Sequence, residues 1–352
     1  MSKALIAMSG GVDSSVAALL MKEAGYECIG CTMKLYDNET ACQDGKTCCS
    51  LNDIEDARGV AFSLGMKYYV FNFKDEFEDK VIKKFVNCYE CGATPNPCIE
   101  CNRHLKFAKL KDRAEELSCD YVVTGHYARI EKRGERYALL KGLDESKDQS
   151  YVLYSMTQEE LAHTQFPLGA MKKSEIRKIA EEHGFINANK PDSQDICFVP
   201  DGDYAKVIEN YTGKKYSEGN FVDTSGKVLG RHKGIIHYTI GQRKGLGIAA
   251  ENPYYVLEIR PDTNEVVLGS NEELFKNEVH IAEVNYIPGC VPAEPVRCEA
   301  KIRYKHKAQP CTVTFSGTTA TIVFDEPVRA ITKGQAAVLY RGDEVLGGGV
   351  IV

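Results

Sequence analysis

The sequence predicts an α/β protein: an N-terminal doubly wound parallel sheet, then a small central domain, then a C-terminal β-barrel. Three observations predict it. Short apolar runs alternate with amphipathic stretches over the first two hundred residues. Turn signals replace helical spacing after about residue 200, and from about residue 275 short Val-, Ile-, Thr- and Tyr-rich runs alternate with Pro and Gly. Strand–helix alternation implies crossover units on a parallel sheet, and four or more closely spaced short strands imply a small barrel or sandwich. At 352 residues and 39.1 kDa the chain is long for a single core. The texture changes place the domains at 1–203, 204–272 and 273–352.

The elements follow in order. Ala4–Met8 reads as a buried strand, cut by Ser9-Gly10-Gly11. Val16, Leu19, Leu20 and Ala24 then recur at helical spacing, with Gly25 as the stop. Tyr68–Phe73 is a second strand, and Phe77, Val81, Ile82, Phe85 and Val86 mark a second helix. Leu105, Leu110 and Leu117 fit a third helix, which leads into a strand at Tyr121–Thr124. Asp201-Gly202, Glu218-Gly219, Ser225-Gly226 and Lys244-Gly245 punctuate a helix-poor centre. Cys298–Tyr304, Cys311–Phe315, Ala320–Phe324 and Ala336–Tyr340 supply the C-terminal strands.

Composition narrows the function classes. Forty-four basic against 50 acidic residues leave a net charge of −6, which excludes a polyanion-coating protein but not a local basic patch. No apolar run approaches the roughly 18 residues of a membrane span, and Ala4–Met8 is interrupted too soon for a signal peptide. The chain reads as soluble and cytoplasmic. Fourteen cysteines then stand out. In a reducing compartment, clustered thiols point to metal binding or sulfur chemistry rather than to a disulfide frame.

Ser9-Gly10-Gly11-Val12-Asp13-Ser14-Ser15 joins the first strand to the first helix. Two glycines allow a sharp turn, serines add donors, and the helix N-terminus adds partial positive charge; together they make an anion cradle. The Walker loop fails here because no Lys follows the glycines, and the dinucleotide fingerprint fails at Val12 and Ser15. The run is similar to the PP-loop of the ATP pyrophosphatases, which split ATP between its α- and β-phosphates, normally with Mg²⁺. That resemblance implies that Ala7, Met8, Ser9, Gly10, Gly11, Val12, Asp13 and Ser14 line an ATP site, with Asp13 anchoring the metal or the loop.

Two cysteine sites stand apart from the rest: Thr94-Pro95-Asn96-Pro97-Cys98-Ile99-Glu100-Cys101-Asn102, a two-proline loop entering a helix, and Asp192-Ser193-Gln194-Asp195-Ile196-Cys197-Phe198. A helix N-terminus lowers a thiol's pKa, and Cys101 fits that position. With Gly125-His126-Tyr127, Lys147-Asp148-Gln149-Ser150-Tyr151 and Tyr238-Thr239-Ile240-Gly241-Gln242-Arg243-Lys244-Gly245-Leu246-Gly247 added, the sequence resembles the bacterial tRNA-specific 2-thiouridylase (MnmA) family along essentially its whole length. The resemblance implies thiolation of the wobble uridine of tRNA. ATP adenylates the 2-oxygen, a persulfide on Cys197 supplies sulfur, and Cys101 releases it by forming a disulfide or attacks directly. A sulfur donor, either a desulfurase or relay protein or sulfide, completes the cycle, and the enzyme acts as a monomer.

The same resemblance implies further contacts. Met33 and Gly125 would touch the nucleotide. Asn96, Pro97 and Cys98 would surround a flipped base, and His126, Lys147, Asp148, Gln149, Arg303, Tyr304 and Gln335 would meet tRNA. The basic, Tyr-containing run Arg297–Lys307 independently suits phosphate contact and stacking, with alternate members on one strand face. Gln242-Arg243-Lys244-Gly245 looks like a phosphate-gripping turn.

The cysteines leave alternatives open. Many relatives carry Asp at the position of Cys98, so Cys98, Cys101 and Cys197 could instead hold a [4Fe–4S] cluster on three irons, with sulfide on the fourth. Cys88-x-x-Cys91 together with Cys98-x-x-Cys101 has the look of a zinc site. Cys42, Cys48 and Cys49 read as accessory thiols, and Cys28, Cys31, Cys119, Cys290, Cys298 and Cys311 as packing residues. Two other functions compete: a PP-loop synthase acting on a small molecule, and a zinc-organised RNA-binding protein.

Overall fold

The computed structural model describes residues 1–36, 51–192, 196–199 and 201–352. Five parallel strands form the first sheet: β1 (Lys3–Ala7), β2 (Glu27–Lys34), β3 (Lys67–Asn72), β4 (Tyr121–Val123) and β7 (Thr164–Gln165), in the order β3-β2-β1-β4-β7. Alternation along β1 divides its side chains between two cores. Ala4 and Ile6 pack with α1 (Val12–Glu23), α2 (Leu51–Ser63) and α6 (Lys173–Glu182). Leu5 packs on the other face, with α3 (74–90) and α4 (97–116). The sheet is therefore covered on both sides, as apolar parallel strands require. Strand order reverses at β1, between β2 and β4, and ligands of such sheets lie at that reversal.

Each long helix contains a π-wound stretch, Glu78–Ile82 in α3 and Asn102–Lys109 in α4. Asn96 caps α4 by accepting from the Cys98 N–H at 3.2 Å, and Pro97 follows at the first helical position.

A four-stranded sheet forms the centre, from β8 (Gly219–Val222), β9 (Val228–His232), β10 (Tyr255–Arg260) and β11 (Glu265–Gly269), in the order β10-β11-β8-β9. Its buried Phe221, Val256 and Leu268 belong to the same apolar cluster as α3 and α4. The helix α7 (Tyr204–Thr212) lies just before it, in the stretch the sequence marks as helix-poor. Asp203 caps α7 and Gly213 ends it in the left-handed region.

The C-terminal strands β12 (Phe275–Tyr286), β13 (Val296–Lys301), β14 (Gln309–Ser316), β15 (Thr319–Arg329), β16 (Ala336–Arg341) and β17 (Glu344–Ile351) are antiparallel neighbours. They close into a barrel because β12 also pairs with β17. Gly347, at φ +129, makes the closure possible: a Cβ there would stand 1.9 Å from the Asn285 carbonyl oxygen. A hairpin of β5 (Ala128–Arg133) and β6 (Arg136–Lys141) extends the barrel sheet through Glu344 opposite Leu140. The sequence reading contains no such hairpin, nor the short helix α5 (Gln158–Ala162), whose Gln158 side chain accepts from the Tyr137 N–H of β6 at 2.8 Å. Ion pairs add to this pairing at the rim, where Arg133 and Arg136 meet Glu344 at 2.8 and 2.6 Å.

The start of α4 is tied to α3 and to the barrel by buried charge. Glu100 is 6% exposed and pairs with Lys84 at 3.0 Å and His104 at 3.3 Å, while Arg103 reaches Glu283 of β12 at 3.1 Å. Burial works against ionisation of Glu100, but the His104 hydrogen bond and the charges of Lys84 and Arg103 hold its carboxyl down to about 2.

Two outcomes follow. Gly347→Ala should cost about 2 kcal/mol or more, as strained backbone positions do, read as a lower thermal midpoint; an unchanged midpoint would mean that the closure tolerates a side chain. The depressed Glu100 pKa contributes stability above its ordinary value of 4.5, and this is lost as pH falls towards 2. Glu100→Gln should flatten that acid limb in pH-dependent denaturation, and an unaltered limb would count against the buried ion cluster.

Candidate active site

The turn after β1 is built so that only glycine fits. Gly10 has φ +77, and a Cβ there would lie 2.4 Å from the Asp53 carbonyl oxygen. The protein's own acceptors in the turn are met from within. Ser14 and Ser15 donate their hydroxyls to the Gly11 carbonyl at 3.0 and 3.2 Å. The Gly10 carbonyl accepts from Asn187 at 3.0 Å and from Lys190 at 3.2 Å, and Lys190 also pairs with Asp53 and Asp56 at 2.6 and 2.7 Å. The first N–H groups of α1 have no partner within the helix and point out of its end, which is the arrangement that binds phosphate.

Asp13 lies in the first turn of α1. It accepts from the Tyr127 hydroxyl at 2.7 Å and from Lys173 at 2.7 and 2.8 Å. Of the two roles open to Asp13, metal anchor or loop anchor, this geometry favours the second. Gly125 closes the side of the turn, since a Cβ there would fall 3.0 Å from Asp13 C and Ser14 N. Ala7 to Ser14 thus form one continuous strand–turn–helix surface with Gly125 against it. Met33, near the end of β2, packs on the α3–α4 cluster.

The thiols enter from the other face of the sheet. Cys98 is exposed at the start of α4, whereas Cys101, one turn on, is buried. Burial pushes the Cys101 thiol above its ordinary range, against an opposing pull from Lys106. The expectation of a thiol lowered by the helix end is overturned, because the first turn of α4 sinks Cys101 into the core. Cys197 packs at the border of the cluster to which Cys101 belongs. Its carbonyl accepts from the Tyr36 hydroxyl at 3.0 Å. The next residue, Phe198, is locked edge-on between Phe77 and Phe85, with centroids 5.7 and 5.2 Å away.

The described cysteines do not gather as a ligand set. Among the described residues, no three His, Cys, Asp or Glu side chains stand close enough to hold a metal ion. Cys98, Cys101 and Cys197 therefore do not converge as cluster ligands in this conformation, and Cys88 and Cys91 do not join Cys98 and Cys101 as a zinc site. Cys290 is exposed, contrary to its reading as a packing residue, while Cys31, Cys119, Cys298 and Cys311 are buried. Cys42, Cys48 and Cys49, like Ser193, Gln194 and Asp195, lie outside the described residues.

Several residues expected at the RNA also hold the site together. Gln335 donates to the Thr94 and Pro95 carbonyls at 2.8 and 3.3 Å, fastening the loop that carries Asn96, Pro97 and Cys98 to the barrel. Arg303 donates through Nη2 to the Ile240 and Ala330 carbonyls at 2.9 and 3.1 Å. Gln149 accepts from the Tyr127 N–H at 2.9 Å, Asp148 accepts from the Gly142 and Ser150 N–H groups at 3.1 Å, and Lys147 pairs with Asp192 at 2.8 Å. His126 is buried against Phe107 and Phe166, bonded to the Thr124 hydroxyl at 2.6 Å, and burial keeps its imidazole neutral.

The basic run 297–307 is not one strand with a cationic face. β13 ends at Lys301, and Arg297 is paired to Asp325. Tyr304, Lys305 and Lys307 lie at the surface beyond it, Tyr304 only about a third exposed. Tyr304 donates to the Asp148 carbonyl at 3.1 Å, and its phenol is pushed up by burial, by Asp148 and by nearby Cys98. The turn at Arg243 and Gly245 rims an open concavity of about 190 Å³ with Asn252 and Tyr254.

Sequence reasoning missed Lys173, Asn187, Lys190 and Asp192. Asp192 accepts from Lys147, Lys173 and Arg177 at 2.8, 2.8 and 3.0 Å, and against burial the two lysines hold its carboxyl down to about 2. Its place just before Ser193-Gln194-Asp195-Ile196-Cys197 was the available signal.

Comparison with known proteins gives consistent matches. The family model described as "tRNA methyl transferase HUP domain" matches residues 2–201. The "tRNA methyl transferase PRC-barrel domain" model matches 205–270, and the "Aminomethyltransferase beta-barrel domain" model 276–351. A tRNA-specific 2-thiouridylase MnmA of Clostridioides difficile is 52% identical, covering 99% of this chain and 98% of that one. Its namesake in Lachnoclostridium phytofermentans is 51% identical, with all of both chains covered. Solved structures are more distant: a 4-thiouridine synthetase–RNA complex with bound ATP is 19% identical over 60% of this chain and 52% of that one, at a TM-score of 0.39. With one model spanning more than half its length and relatives half identical from end to end, the chain belongs to the tRNA-specific 2-thiouridylase MnmA family.

Proposed function

We propose that the chain thiolates the wobble uridine of tRNA at C2 in an ATP-dependent reaction. The observation that carries this reading is the pairing of an anion-binding β1–α1 turn with two thiols, Cys101 and Cys197, on one apolar cluster beneath the same sheet. The names of the family's members supply the substrate class.

The chemistry divides into two steps, because a carbonyl oxygen is a poor leaving group. The uridine 2-oxygen attacks the α-phosphate of ATP, giving an O-adenylate and pyrophosphate. The terminal sulfur of a Cys197 persulfide then attacks C2 and AMP leaves. Attack of the Cys101 thiolate on the Cys197 sulfur frees 2-thiouridine and leaves a Cys101–Cys197 disulfide, which a thiol reductant reopens before a sulfur donor reloads Cys197. Mg²⁺ would travel with the nucleotide and screen the phosphates. Asp13, already bonded to Lys173, supports this as a loop anchor rather than as a metal ligand.

Burial of Cys101 suits its place in the sequence of events. A protonated thiol cannot attack the persulfide before the base has arrived. Cys98, Asn96 and Pro97 would surround the base at the mouth of the site, with Tyr304, Lys305 and Lys307 beside it for stacking and phosphate contact. Gln335 and Arg303 would act by holding that mouth in place. The turn at Arg243 and Lys244 would grip the tRNA backbone farther away.

Pyrophosphate release should require tRNA in both the wild type and Cys197→Ser, while 2-thiouridine, read by nucleoside mass spectrometry, should form only in the wild type. Release without tRNA would favour a small-molecule synthase, no release at all would favour an RNA-binding protein, and thiouridine from the variant would remove Cys197 from the mechanism.

A further inference from the structure

The nucleotide loop and the stretch that carries Cys197 share one cation. Lys173 opens α6 and its side chain is 10% exposed. Its ammonium contacts both carboxylate oxygens of Asp13, at 2.7 and 2.8 Å, and Asp192 at 2.8 Å. An ammonium has three N–H donors. Lys173 is therefore fully committed between a carboxylate in the first turn of α1 and a carboxylate five residues before Cys197.

The two carboxylates depend on it unequally. Asp192 also pairs with Lys147 and Arg177, at 2.8 and 3.0 Å. Asp13 has the Tyr127 hydroxyl besides, a neutral donor. A polyphosphate at the N-terminus of α1 would bring several negative charges into reach of this ammonium. The contact that costs least to surrender is then the one to Asp192, because two other cations stay on that carboxylate.

We propose that Lys173 is a positioning residue that transmits occupancy of the nucleotide loop to Cys197, exchanging Asp192 for phosphate and so releasing the tie between the loop and the Cys197 stretch. Cys197 is thereby held back from reaction until nucleotide is in place. The inference rests on reading the Ser9–Ser14 turn as the nucleotide site and is independent of whether Cys197 carries the sulfur.

The test uses the full chain, Mg²⁺ and α,β-methylene-ATP, which cannot be split at the bond in question. Calorimetry measures binding, and peptide-resolved mass spectrometry follows alkylation of Cys197 by iodoacetamide. In the wild type, saturating analogue should raise the Cys197 rate about fivefold, the weight of one partly exposed ion pair. Lys173→Met should abolish that response and Lys173→Arg should keep it. Asp192→Asn, which leaves Lys173 on Asp13, should label fast without nucleotide and gain nothing from it. Should Lys173→Met fail to fold, Asp192→Asn carries the test. A wild type that binds the analogue with an unchanged Cys197 rate would overturn the inference, as would an undiminished response in Asp192→Asn. Absence of binding to the wild type would overturn the nucleotide reading itself, and the inference with it.

Discussion

The β1–α1 turn must present helix-end N–H groups to an anion without letting the protein's own acceptors compete for them, and the surrounding structure meets that constraint. The Gly11 carbonyl is taken by Ser14 and Ser15, the Gly10 carbonyl by Asn187 and Lys190, and the Asp13 carboxylate by Tyr127 and Lys173. Tyr127 is in turn held by Gln149, and Lys190 by Asp53 and Asp56. The result is a loop whose shape comes from side chains behind it, leaving its outward face to the ligand. Gly10 is pressed on the Asp53 backbone so closely that this packing leaves no room for a side chain.

The second organising fact is that the barrel and the central sheet do structural service for the thiols. Gln335 holds the loop before α4, Arg303 binds carbonyls of the central segment and of the barrel, and Glu283 of β12 meets Arg103 and Lys84 on the helices around Cys101. Parts of the chain that look like separate RNA-binding modules thus also fix where Cys98 and Cys101 stand. A substitution at Arg303 or Gln335 would be felt at the thiols even without any change in RNA contact.

Much of this was legible in the sequence where the causes are local. The β1 strand, the Gly-Gly turn and the helix after it lie within consecutive residues, and the parallel sheet and closed barrel follow from periodicity. The hairpin Ala128–Lys141 was missed although Gly134, at φ +63, sits in a tight turn between alternating runs. The failures share a physical reason. Lys173, Asn187 and Lys190 reach the turn from more than 150 residues away, and no local pattern marks a lysine that will be buried between carboxylates. The thiol of Cys101 was expected to be lowered by the helix end, but desolvation is a tertiary effect and it prevails. His126 and the Lys147-Asp148-Gln149 run, read as RNA contacts, also make bonds within the chain that no local pattern foretells: His126 is buried, while Gln149 holds Tyr127 and Lys147 pairs with Asp192.

The proposed sulfur transfer turns on Cys101 and Cys197 acting on one another. The most direct measurement is a single turnover with protein persulfidated at Cys197, in the presence of ATP and tRNA and without reductant, followed by rapid alkylation and mass mapping of every cysteine. One Cys101–Cys197 disulfide should appear for each 2-thiouridine formed. Thiouridine produced while Cys101 is recovered fully alkylated would contradict the account.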